Sequence, residues 1–205
     1  MKTKMTSYKV YGAWEYDREI SDLNRLSKEG WQLEKGGCFH SKFIRNENVR
    51  YMYQLDYAPK LEDKERYLSF FREQGWEYIN STYNGWHYFR RDYKENLPYE
   101  NAEIYTDEES LLEMQGRYYK ILRCFAILFL ILSAVCVFHM VIEQSIKMLN
   151  IAICDVSCAL MMWLVVINIK RRQNGQKELI PIKGQVFIAI WIAILICEFV
   201  VTFIF

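Results

Sequence analysis

A long apolar stretch divides this chain into two unlike parts. The residues from Cys124 to Ile142, CFAILFLILSAVCVFHMVI, include no acidic side chain, lysine or arginine. A helix rises by about 1.5 Å per residue, so this stretch would span roughly 30 Å, the thickness of the hydrocarbon core of a bilayer. The pattern therefore predicts a transmembrane helix, with a water-soluble domain before it and a membrane unit after it.

Two more apolar runs follow, Ile151 to Ile169 and Val186 to Phe205. Each is about as long as one crossing of a bilayer. We therefore predict that residues 121–205 form an all-α unit of three transmembrane helices, at about 121–142, 150–169 and 186–205.

The basic residues predict an orientation. The segment KRRQNGQKELIPIKGQ, between the second and third runs, holds five lysines and arginines, whereas EQSIKMLN, between the first two, holds one. Lysine and arginine concentrate in cytoplasmic loops, and the N-terminal residues show no signal-peptide pattern. Both observations predict a multi-pass membrane protein with a cytoplasmic N-terminal domain and a C-terminus outside.

The net charge and the cysteine content of the N-terminal part argue against several classes of function. Residues 1–116 carry a net charge of −4, and we expect no direct nucleic-acid binding, because phosphate contacts need a basic face. Only Cys38 precedes the apolar runs, so no disulfide framework or paired-cysteine metal site is expected there. We expect no metal and no other cofactor.

The N-terminal part shows alternating patterns of strands and the periodicity of helices. Tyr8 to Tyr16 alternates as a strand does, and Asp17 is placed to cap a helix that ends at Gly30. Two short strands would follow, at 31–33 and 39–44. Residues 49–57 alternate again, and a second helix would end at Gly75.

These patterns repeat along the chain. A shift of 45 residues places Leu23 on Leu68 and Gly30-Trp31 on Gly75-Trp76. We predict that residues 1–94 form an α+β domain made by duplication of a β-α-β-β unit, with one antiparallel, ferredoxin-like sheet and two helices on one face. Residues 95–120 would be a linker and a juxtamembrane helix, beginning at the capping-box sequence Thr106 to Glu109.

Five stretches between Tyr8 and Arg91 form a combined pattern: VYGAWEYDREISDLNRLSKEGWQL, FHSKFIR, VRYMYQLDY, FFREQGWEYI and WHYFRR. Together they resemble the bacterial family catalogued as domain of unknown function 2812. The resemblance implies no catalytic residue, because the family has no established biochemistry. Family members commonly precede a few transmembrane helices, and many are encoded beside PadR-type winged-helix repressors. The resemblance thus implies a membrane-tethered regulatory role in the bacterial plasma membrane.

Three ionisable residues fall within the apolar runs: His139, Asp155 and Glu198. A hairpin of the first two spans would bring His139 level with Asp155, and Glu198, seven residues from the outer end of the third span, would reach a similar depth. Charges in a membrane are costly unless they are paired, so the three form a candidate proton-sensing or cation-binding cluster. The alternative, which we favour, is hydration near the interface or pairing that locks the bundle.

Aromatic residues dominate the N-terminal domain. Tyr11, Tyr83 and Trp86 are candidates for a partner or ligand surface. A small domain needs large side chains to fill its core. We therefore expect five residues of the two repeats to form that core: Trp14, Trp31, Trp76, Leu23 and Leu68.

The sequence favours a non-enzymatic membrane protein. It has no phosphate-binding loop, zinc-protease or serine-hydrolase motif. The leading hypothesis is a regulatory or sensory protein, embedded in membrane lipid, whose cytoplasmic domain binds a protein such as a PadR-type repressor. The alternative is a module that binds a lipophilic small molecule or assists transport. Homo-oligomerisation is left open.

Overall fold

The computed structural model of the chain describes residues 3–95, 108–143, 146–180 and 183–203. The chain divides into two compact units, Met1–Arg117 and Tyr118–Phe205. The first is an α+β unit, and the second is helical.

The α+β unit contains two small antiparallel sheets. Its elements are β1 (Lys4–Ser7), a short 3-10 helix (Ala13–Glu15), α1 (Tyr16–Lys28), β2 (Trp31–Lys35), β3 (Ser41–Arg45), β4 (Tyr51–Tyr57), α2 (Lys64–Glu73), β5 (Glu77–Ser81) and β6 (Trp86–Asp92). The strand orders are β1-β3-β2 and β4-β6-β5. The α+β class is therefore confirmed. Both halves share one element order and one strand order, and their origin by duplication stays a prediction.

The structure has two sheets in place of the single predicted sheet. Strands β2 and β5 each contain a register shift, at Leu33/Lys35 and at Tyr78/Asn80. Such bulges bend a strand and interrupt its pairing. The side chain of Asn80 makes the connection instead: its Oδ1 accepts from the Gly36 N–H at 2.8 Å, and its Nδ2 donates to the Gly36 carbonyl at 2.9 Å.

The first predicted strand is misplaced. Strand β1 covers Lys4–Ser7, and the alternating residues from Tyr8 onward lead into the 3-10 helix. The chain folds back at Gly12, where a Cβ would lie 2.6 Å from the Trp14 ring. Helix α1 then begins at Tyr16 rather than after an Asp17 cap. The alternating aromatic residues therefore belong to a loop that leads into the 3-10 helix and not to a strand.

Helix α1 binds the second sheet along the free edge of β4. The Tyr53 N–H donates to Asn24 Oδ1 at 2.7 Å, and the Tyr51 N–H donates to Ser27 Oγ at 2.8 Å. An exposed strand edge would otherwise leave these donors free to pair with another chain. These bonds and those of Asn80 attach both edges of the second sheet to the first half of the domain.

A buried polar network lies beneath this contact. The Tyr53 hydroxyl accepts from the Leu33 N–H at 2.9 Å and donates to Gln32 Oε1 at 3.2 Å. Gln32 Nε2 donates to the Val49 carbonyl at 2.8 Å. Burial raises the pKa of Tyr53 to about 12. Because every member has a partner, the network fixes β2 against β4 without leaving a polar group unsatisfied.

The apolar core of the second half is aromatic. Phe71, Trp76 and Phe89 form a buried cluster, with Tyr67, Leu68 and Tyr78 packed against it. The ring centroids of Phe71 and Phe89 lie 4.4 Å apart.

The residues expected to form a repeat core differ in burial. Trp14, Leu23 and Trp76 are buried, and Leu68 is partly buried. Trp31 is only half-buried, with the Arg45 guanidinium 5.0 Å from its ring centroid. An arginine lies over the Trp76 ring as well, Arg91 at 4.4 Å, yet Trp76 is buried and Trp31 is not. The two predicted repeat positions therefore differ in burial.

Three helices follow: α3 (Glu108–Glu143), α4 (Ile146–Gln173) and α5 (Gly184–Phe203). Two stretches, Glu109–Ile142 and Leu149–Gln173, are long and apolar enough to cross a membrane. The described apolar part of α5, Gly184–Ile194, is shorter. Two of the three predicted spans therefore have matching helices, and the third stays a prediction. Thr106 of the predicted capping box lies outside the described residues.

Polar side chains connect the elements of the helical unit. Ser133 Oγ of α3 donates to the Ala152 carbonyl of α4 at 3.1 Å. Asn168 of α4 binds the loop before α5: it donates to the Ile180 carbonyl at 2.6 Å and accepts from the Leu179 N–H at 2.9 Å. The α3 ring of Phe129 meets Trp191 of α5 with centroids 5.1 Å apart.

Candidate functional site

A small cleft in the α+β unit lies between the start of α1, the loop after β2, and β6. Its lining includes Tyr11, Tyr16, Glu19, Cys38, Trp86 and Tyr88. The cavity measures about 50 Å³, which is room for roughly three to five water molecules, since one water needs about 10–15 Å³. The cleft therefore has the size of a small chemical group.

Glu19 is the buried acid of this cleft. It lies on the inner face of α1, where the buried positions Glu19, Leu23 and Ser27 recur every four residues and continue from the buried Glu15 of the 3-10 helix. The Tyr88 hydroxyl donates to Glu19 Oε1 at 2.7 Å. Burial raises the pKa of Glu19 to about 7, although the Tyr88 hydrogen bond acts in the opposite direction. Glu19 therefore changes its charge near neutral pH.

Tyr88 and Gly36 hold the wall opposite α1. A Cβ at Gly36 would lie 2.6 Å from the Tyr88 ring, so only glycine allows this approach between the β2 end and β6. Burial, together with the adjacent Glu19, raises the pKa of the Tyr88 hydroxyl far above its ordinary value. Tyr88 therefore stays a neutral hydrogen-bond donor to Glu19 at all physiological pH values.

Exposed aromatic side chains border the cleft. Tyr8, Phe39 and Tyr83, here called the aromatic rim, have exposed fractions of 76%, 60% and 84%. Phe39 follows Cys38, and Tyr83 lies between the lining residues Thr82 and Asn84. The rings of Tyr8 and His40 are 6.2 Å apart, and Cys38 Sγ donates to Asn84 Oδ1 at 3.1 Å. The segments that carry Tyr8, Phe39 and Tyr83 therefore come together at one side of the domain.

The structure brings two of the three predicted surface residues into the cleft. Tyr11 and Trp86 line it, and Tyr83 projects beside it. Trp86 is itself buried, with its ring 6.0 Å from that of Tyr16. Glu19 and Tyr88 were missed from the sequence. The available signal was the acid at position 19, four residues before the apolar Leu23 on the same helix face.

The predicted intramembrane cluster is only partly described. His139 lies on an exposed part of α3, whereas Asp155 is buried on α4. The side chain of Glu198 is outside the described residues, so the cluster stays a prediction. Within the described residues, no group of three or more His, Cys, Asp or Glu side chains is placed to hold a metal ion.

A second buried polar group lies across β4 and β6, away from the cleft. Tyr67 donates to Asp56 Oδ2 at 2.5 Å, and His87 Nε2 lies 3.1 Å from the Ala58 carbonyl. Burial lowers the pKa of His87. The Nε2–H therefore donates to Ala58, and a neutral imidazole supports the strand pair.

Fold and site together define an α+β domain followed by apolar helices, with a small acidic, aromatic cleft in the domain. The family model described as "Protein of unknown function (DUF2812)" matches residues 15–127. The chain belongs to this family. No curated protein and no solved structure matches it.

Proposed function

We propose that this chain is a membrane-anchored regulatory protein whose α+β domain binds a protein partner through the aromatic rim. The observation that carries the proposal is the exposure of Tyr8, Phe39 and Tyr83 around one cleft. Exposed apolar groups that cluster in this way mark interaction sites, and tyrosine is enriched among the residues that dominate binding energy.

The apolar helices support the membrane anchor. Only 11% of the most apolar window of α3 is buried within the structure, against 39% for α4. A core helix of a soluble protein would bury most of such a window, whereas a helix in lipid can leave it exposed. In our proposal α5 supplies a third span, and the charge bias of the loops places the α+β domain in the bacterial cytoplasm.

The first partner to test is a PadR-type repressor, because the resemblance to this family implies that one is encoded nearby. Membranes that contain the full chain should retain the purified repressor. Replacing Tyr8, Phe39 and Tyr83 together by serine should weaken retention at least tenfold, since each truncation at an interface centre removes about 1–2 kcal/mol.

The matched control replaces Phe70 by serine, because this phenylalanine is also exposed but lies on α2. Retention should stay unchanged in this variant. Equal loss in the control and in the rim variant would contradict the assignment of the surface. Absence of retention by the unaltered chain would remove the repressor as partner.

One further groove favours the alternative of lipophilic ligand binding. It measures about 510 Å³ and is lined by Leu68, Trp76 and Tyr78, among others. This volume lies within the range of small-molecule sites. Saturable quenching of Trp76 fluorescence by a lipophilic compound, abolished by Leu68→Gln, would favour this function over partner binding.

A further inference from the structure

Glu15, at the end of the 3-10 helix, and Glu19 and Asp22 of α1 differ in how their charges are balanced. Glu15 pairs with Arg18 at 2.9 Å. Asp22 pairs with Lys9 and, at 3.5 Å, with Arg25, and it also accepts from Tyr11. Within the described residues, no cation pairs with Glu19, whose hydrogen-bond donor is the neutral Tyr88 hydroxyl. Glu19 is thus a buried carboxyl group with no counter-ion in the part of the chain that the structure describes.

The cleft adds space and aromatic surface to this carboxyl group. Glu19 is about nine-tenths buried and lines the cavity with Tyr11, Tyr16 and Trp86. Aromatic rings attract cations through their negative faces, and the attraction strengthens where water is excluded. The volume of about 50 Å³ accommodates the end of an alkyl chain with its charged head.

We propose that this cleft binds the ammonium group of a primary alkylamine, with Glu19 as its counter-ion and the aromatic rings as its walls. The ammonium group can come from a free small amine or from a lysine side chain of a partner. This site is distinct from the aromatic rim, and its binding of an amine is measured without the proposed protein partner.

The proposal carries a pH dependence. The titratable groups that interact with Glu19 are Tyr88 of β6, Asp22 of α1, Tyr11 before α1, and Cys38 after β2. Burial raises the pKa of Tyr88, Tyr11 and Cys38, so these three stay neutral while Glu19 titrates near pH 7. A primary amine stays cationic up to about pH 10. Binding should therefore strengthen about tenfold from about pH 6 to about pH 8.

The test is isothermal titration calorimetry of n-butylamine into the full chain in detergent micelles. Glu19→Gln should weaken binding at least tenfold at about pH 8, because glutamine keeps the shape and the acceptor for Tyr88 but removes the charge. Glu73→Gln, an exposed acid on α2, is the matched control and should bind as the unaltered chain does. The neutral isostere n-butanol should give no binding.

A second arm separates the two sources of the ammonium group. Nα-acetyl-lysine methylamide should bind more tightly than n-butylamine if a partner's lysine is the natural occupant, and more weakly if a free amine is. The variant with serine at Tyr8, Phe39 and Tyr83 should still bind the amine, which distinguishes this site from the partner surface. No amine binding, binding that Glu19→Gln leaves intact, or binding that is constant from about pH 6 to about pH 8 would overturn the proposal.

Discussion

Replacing Phe89 by alanine should lower the free energy of unfolding of the α+β domain by about 3–5 kcal/mol. Phe89 is fully buried and contacts Phe71, Tyr67 and Tyr78 through its ring. Truncation removes these contacts and leaves a cavity that the β4-β6-β5 sheet cannot close, because both edges of the sheet are attached to the first half. Urea unfolding of the full chain in micelles, followed by tryptophan fluorescence, measures the change.

The matched control is Phe39→Ala, the same truncation at a position that is 60% exposed. We expect a change within about 0.5 kcal/mol, as for surface substitutions in general. A loss of stability at Phe39 equal to that at Phe89 would contradict the assignment of the core. The same unfolding measurement on the variant with serine at Tyr8, Phe39 and Tyr83 tests whether it stays folded, which the binding tests require.

Glu19→Gln should remove the loss of folding stability that ionisation of the buried Glu19 carboxyl group causes at neutral and higher pH. The pKa of Glu19 is raised from 4.5 to about 7 by burial, so between these values the native state holds a proton that the unfolded state has lost. The stability from this proton is fully present below about pH 4.5 and is lost as the pH rises through about 7. The variant should therefore gain roughly 3 kcal/mol relative to the unaltered chain between about pH 4 and about pH 8.

The control for this titration is Glu77→Gln. The Arg90 guanidinium, 2.7 Å from Glu77, lowers the pKa of that carboxyl group, so its contribution has the opposite sign. The Glu77 variant should lose stability at neutral pH and match the unaltered chain in acid. Urea unfolding at a series of pH values measures both variants. A Glu19→Gln difference that does not change with pH would mean that Glu19 is not buried in solution.

The parts of the fold that follow from local pattern could be predicted from the sequence. Strand β4 and the ends of both helices follow from alternation over 51–57 and from the glycines at 30 and 75, which adopt positive φ angles. A glycine tolerates this conformation because it has no Cβ. These features depend on neighbours in the chain, so short-range spacing was sufficient.

The cleft could be predicted only in part, because it depends on contacts between distant residues. Tyr88 meets Glu19 across 69 positions of the chain, and Asn80 meets Gly36 across 44. The local sequence around each residue does not indicate which distant residue it will contact. The same reason explains the misplaced first strand: Tyr11 and Tyr16 supply aromatic surface to the cleft, and alternation alone does not distinguish such a segment from one face of a sheet.

Site-specific photo-crosslinking in intact bacterial cells tests the central claim, that the α+β domain binds a protein through the aromatic rim, most directly. A photoreactive phenylalanine analogue at position 83 should give a discrete protein adduct, because Tyr83 is 84% exposed at the mouth of the cleft. The same analogue at position 70, on the exposed surface of α2, should give none. No adduct at position 83, or equal adducts at both positions, would contradict the account.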